Sequence, residues 1–111
     1  MRRTLLILVA CLLPLTVAAK STTMTAKNLL EVCTTADMHW VDFCNGFFQA
    51  AHDSGVVAGK ICTPSGVTRT QLVEMFEQRA PRLFQINPTI AKVAGVEVAQ
   101  RLMAKEYPCQ Q

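Results

Sequence analysis

Four cysteines, Cys33, Cys44, Cys62 and Cys109, constrain this chain more than any other feature. None stands in a C-x-x-C pair, so neither a zinc-ribbon knuckle nor a thioredoxin-type couple is present, and no C-x-x-C-H offers a haem attachment. A fifth, Cys11, lies in the opening stretch MRRTLLILVACLLPLTVAAK. Arg2 and Arg3 followed by an apolar run from Leu5 to Val17 and the small residues Ala18 and Ala19 form the pattern of a secretory signal peptide over residues 1–19, cut after Ala19. The run contains Pro14 and is shorter than the ~20 residues of a spanning helix, so an uncleaved anchor is the weaker alternative. LVAC also resembles a lipoprotein cleavage box, but the apolar run continues past Cys11, whereas such a box closes it.

Removal of residues 1–19 leaves an even set of four cysteines in an exported chain, the setting in which cysteines pair as disulfides. Three pairings are open. The order of elements favours Cys33–Cys44, which would staple a helical hairpin, and Cys62–Cys109, which would tie the C-terminus to the middle. In the chain-entropy model loops of these lengths are worth roughly 3 and 4 kcal/mol, comparable to the ~5–15 kcal/mol stability of a whole domain. Residues 20–111 then form one domain with nine Lys+Arg against eight Asp+Glu, a net charge of +1. A chain so nearly neutral and without a basic block is not patterned for nucleic acid.

Every segment between the cysteines reads as helix, none as an alternating strand. TAKNLLEVC is a short helix with Thr25 as N-cap and Leu29, Leu30 and Cys33 inward. In WVDFCNGFFQAAHD, Trp40, Phe43, Cys44, Phe47 and Ala51 recur at helical spacing and define the expected buried face, breaking at Ser54-Gly55. Gly46 offers room for a second backbone. Thr68 with Gln71 forms a capping box, and Val67 with Leu72 a hydrophobic staple, for a third helix with Leu72, Met75 and Phe76 inward. Pro81 predicts the end or a kink of that helix. PRLFQINPT follows as a loop whose apolar residues either tuck into the core or present an anchor; Arg82, Phe84, Gln85 and Asn87 are the candidate partner-binding residues. Asn87-Pro88 opens a fourth helix, TIAKVAGVEVAQRLMAKEY, in which Ala91, Gly95 and Ala99 form a small-residue stripe suited to packing within the monomer or to a homodimer seam. The expected fold is all-α, a small four-helix domain stapled by two disulfides.

NLLEVC, FCNGFFQAAHD, ICTPSGVTRTQLVEMF and AKEYPC, in this order, resemble the Rap/Tai family of type VI secretion immunity proteins. The shared pattern is L-x-x-C, F-C-x-G-[YF], I-C-x-P-x-G-V-T and a terminal P-C, at Leu30–Cys33, Phe43–Phe47, Ile61–Thr68 and Pro108–Cys109. The resemblance implies that residues 20–111 are an immunity-type domain. It implies a periplasmic antidote, in some members a dimer, that binds and occludes a peptidoglycan amidase effector with no catalytic residue, cofactor, metal or nucleic acid of its own, and no membrane association once the signal is cut. An orphan copy without a cognate amidase and a small periplasmic stress chaperone are the alternatives. An enzyme would have to draw on Asp42, His52 and Asp53, which show no nucleophile–base arrangement in sequence, and His39 and His52 are too far apart for a metal motif.

Overall fold

The computed structural model describes residues 23–110, so the leader, Cys11 and the cleavage position lie outside the described residues. Four helices follow in order: α1 (Ala26–Cys33), α2 (Met38–Val57), α3 (Arg69–Ile86) and α4 (Gly95–Glu106), with a 3₁₀ turn at Pro88–Lys92 between the last two. The only β pairing among the described residues is a single bridge. None of the described helices is long and apolar enough to cross a membrane.

The helix starts obey their sequence signals. The Thr25 hydroxyl accepts from Asn28 N at 3.2 Å, and Asp37 Oδ1 accepts from His39 N at 2.8 Å at the start of α2. Both halves of the capping box form: Gln71 N donates to Thr68 Oγ1 at 3.2 Å, and Thr68 N to Gln71 Oε1 at 2.8 Å. Each bond satisfies a backbone N–H that the first helical turn leaves without a carbonyl.

Burial of α2 differs from the sequence reading. The buried line is Cys44, Phe48, Ala51 and Gly55, whereas Trp40 and Phe43 are 38% and 39% exposed. Both lines satisfy helical periodicity and lie side by side on a wide apolar arc. The disulfide from Cys33 to Cys44, with Cα atoms 5.7 Å apart, holds the Cys44 edge against α1. Phe48 thereby reaches Phe76 of α3, ring centroids 5.1 Å apart, and the two are fully buried at the centre of the core with Leu29, Ile61, Val98 and Met103.

The end of α2 is also later than Ser54-Gly55. Gly59 takes the left-handed conformation at φ 72°. Lys60 N bonds Gly55 O at 2.9 Å and Gly59 N bonds Val56 O at 3.0 Å, the two bonds of a Schellman ending. Gly55 is inside the helix because Ile61 folds back onto it: a Cβ there would lie 2.2 Å from Ile61 Cδ1. Gly46, by contrast, faces open space, and no second backbone of the described residues approaches it.

Pro81 does not end α3. The proline lies inside the helix, which runs five residues further to Ile86. A mid-helix proline forfeits one hydrogen bond and costs about 3 kcal/mol. Ala80 is fully buried, and Leu83 and Phe84 pack against the core, so stopping at Pro81 would expose them. The stretch read as the loop PRLFQINPT is therefore the last turn of α3 followed by the 3₁₀ turn.

The fourth helix is split. Val93 and Ala94 are extended, and they pair with the start of α1: Ala26 N donates to Val93 O at 2.8 Å and Gly95 N to Met24 O at 2.7 Å. Backbone bonded this way is unavailable to a helix ladder. Gly95 is packed tightly at the crossing, where a Cβ would sit 3.0 Å from Leu29 and 3.2 Å from Met24 O. The small-residue stripe thus packs within the chain at Gly95 and Ala99, while Ala91 belongs to the 3₁₀ turn.

The second disulfide joins Cys62 and Cys109, Cα atoms 4.8 Å apart, and Cys62 N donates to Tyr107 O at 2.9 Å beside it. Both pairs match those favoured by element order.

Candidate partner-binding surface

Of the four sequence candidates, Arg82 stands apart. It projects from the exposed side of the last α3 turns into a groove of about 520 Å³ between α3 and α4. Phe84 is half-buried and packs on the core. Asn87 is a cap: its Oδ1 accepts from Thr89 N at 3.3 Å and Thr89 Oγ1 at 2.6 Å, and so starts the 3₁₀ turn. Gln85 is exposed but does not line the groove. The helical continuation through Pro81 separates these residues, because Arg82 and Ile86 share one face while Phe84 turns inward.

Arg79 and Lys105 join Arg82 in the groove, over a floor of Leu83, Ile86 and Leu102. Arg79 pairs with Glu106 across the two helices, which fixes the wall. Ile86 is 73% exposed at the mouth. Neither Arg79 nor Lys105 was among the sequence candidates; folding brings both beside Arg82. The spacing Arg79, Arg82, Ile86 would have signalled a shared stripe had the helix been carried past Pro81.

A second exposed apolar surface is the shoulder of α2. Trp40 meets Phe43 edge-on, centroids 5.6 Å apart at 88°, and Phe43 meets Phe47 at 5.8 Å. Met38 is 72% exposed at the beginning of the same helix.

His52 and Asp53 do meet, and with a third residue. His52 Nδ1 lies 3.1 Å from Asp53 Oδ1, and His52 Nε2 lies 2.5 Å from Thr63 Oγ1. With the Nδ1 proton donated to the carboxylate, Nε2 accepts from the threonine hydroxyl. The bonds from His52 and then from Gln49 hold the Asp53 carboxyl below its ordinary value. The connectivity is that of a proton relay, but neither the α3–α4 groove nor the smaller cleft between α2 and α4 reaches His52 or Thr63. Its effect is to tie the segment after Cys62 to α2. Asp42 is three helical turns away, about 16 Å along the axis. All four described cysteines are in disulfides, and no cluster of three or more His, Cys, Asp or Glu residues suited to a metal occurs among the described residues.

No curated protein and no solved structure matches the chain. The family model of the Rap1a immunity proteins matches residues 25–109. That span starts at the N-cap of α1 and closes on the cysteine of the second disulfide, so it contains every helix and both staples. The chain is a member of the Rap1a immunity protein family.

Proposed function

We propose that this protein is a periplasmic immunity protein that binds a type VI secretion peptidoglycan amidase and blocks it by occlusion. The observation that carries the reading is the family match across all four helices. Physical features support it. Two disulfides suit an oxidising compartment outside the cytoplasm. Cross-linked helices present a surface that needs little ordering on binding, and preorganisation of that kind converts directly into affinity. Exposed Trp40, Phe43, Ile86 and Arg82 are of the residue types that anchor protein interfaces or sit beside such anchors. Occlusion asks only for shape and contact from the inhibitor, so the His52–Thr63 tie serves as structure.

The test is direct. Residues 20–111, produced with disulfides intact, are titrated into the amidase encoded by the neighbouring gene while peptidoglycan cleavage is followed. Stoichiometric inhibition and a stable complex on size exclusion are expected, with deletion making cells sensitive to their siblings. Full amidase activity in excess protein, together with deletion cells that resist sibling attack, would reject the proposal.

A further inference from the structure

The described residues carry eight lysines and arginines and eight aspartates and glutamates. Their charge is balanced overall but not locally. Three of the eight cations, Arg79, Arg82 and Lys105, line the α3–α4 groove, and none of the carboxylates does. Arg79 is engaged by Glu106, whereas Arg82 and Lys105 make no ion pair among the described residues. The floor between them is aliphatic, from the buried Leu102 to the exposed Ile86. The cleft between α2 and α4 is smaller, about 290 Å³, and its lining mixes the cations Lys60 and Arg101 with a carboxylate, Glu97, that pairs with Arg101.

We infer that the α3–α4 groove receives a short acidic segment of the partner, one apolar side chain set between carboxylates. The amphipathic lining selects that chemistry. The guanidinium of Arg82 offers paired donors that match a carboxylate, and Lys105 supplies a point charge on the other wall. An aliphatic or aromatic side chain covers Leu83, Leu102 and Ile86. A volume of about 520 Å³ accommodates one large side chain and its neighbours. A cationic segment would meet the unpaired charges of Arg82 and Lys105 and is disfavoured. The inference rests on the immunity reading for the source of the segment, the amidase, and adds to it where contact is made and with what chemistry.

Two measurements test it. Isotope-labelled residues 20–111 are titrated with the peptide acetyl-EDLFED-amide and with acetyl-KKLFKK-amide, and amide shifts are mapped. The acidic peptide should move signals of residues 78–86 and 102–105, and the basic one should not. Shifts elsewhere, or equal responses to both peptides, would overturn the groove assignment. In the second measurement the neighbouring amidase is bound by wild type, Arg82→Glu, Lys105→Glu and the control Lys27→Glu, with folding checked by circular dichroism. Each groove substitution should weaken binding about tenfold, chiefly at low salt, and the control should not. Wild-type binding that all three variants retain overturns the groove and leaves the immunity reading standing. Wild type that does not bind removes that reading, and with it the amidase as the source of the segment.

Discussion

Alanine should have opposite effects at two glycines of the same helix. Gly46 and Gly55 both lie within α2, so each replacement recovers up to about 1 kcal/mol of helix propensity. At Gly46 nothing lies within 4 Å of the added methyl, and the full gain should appear. At Gly55 the methyl would lie 2.2 Å from Ile61 Cδ1 and 2.8 Å from Cγ1. Ile61 has nowhere to retreat. It is 1% exposed, its N–H is bonded to Gly55 O at 3.2 Å, and the next residue is held by a disulfide. Overpacking costs about 1–3 kcal/mol, and an approach of 2.2 Å puts this site in the upper half of that range, about 2–3 kcal/mol, above the propensity gain. Gly55→Ala should therefore lose about 1–2 kcal/mol net while Gly46→Ala gains about 1 kcal/mol. Urea unfolding of the oxidised domain measures both. Ile61→Val removes the nearer clashing atom, so Gly55→Ala with Ile61→Val should be more stable than the sum of the single losses by at least about 0.5 kcal/mol. A Gly55→Ala protein as stable as wild type, or additivity in the double variant, would refute the packing argument.

Two further outcomes follow from burial. Cys62 is exposed whereas Cys33 and Cys44 are 8% and 1% exposed, so a mild reductant should open Cys62–Cys109 first; alkylation and mass spectrometry would contradict this by finding Cys33 or Cys44 labelled earlier. Burial, and after it the neighbouring Glu74, raise the Glu77 carboxyl above its ordinary value, so its ionised form opposes folding once pH rises past the unfolded value. Glu77→Gln should accordingly stabilise the domain at pH 7 and lose its advantage at pH 3, and an equal difference at both pH values in urea unfolding would count against it.

Much of the scaffold was written locally. Thr25 and Thr68 carry their capping partners three residues on, so the starts of α1 and α3 were legible without any knowledge of the fold. The cysteine order favoured Cys33–Cys44 because two helices joined by a short connection bring their ends together, which leaves Cys62–Cys109 to tie the C-terminus to the middle. The family, too, was legible, since its motifs follow the cysteines and the cap. Of the candidate partner residues, only Arg82 lines the groove; Asn87 caps the 3₁₀ turn as its place before Pro88 suggested, and Phe84 packs on the core.

What only the tertiary structure decided are choices between local options of similar energy. Periodicity on α2 marks a wide apolar arc, and the Cys33–Cys44 bond together with Phe76 determines that Phe48 is buried and Trp40 and Phe43 are not. Pro81 signals an ending, but core contacts of the following turn outweigh one lost hydrogen bond. The helix pattern through Val93 and Ala94 gives way because Met24 and Ala26, some seventy residues earlier, take their backbone bonds. The groove joins Arg82 to Lys105 from different helices. A sequence states what each segment prefers by itself; which surface it covers, and which it leaves bare for a partner, depends on segments distant in the chain that arrive only when it folds.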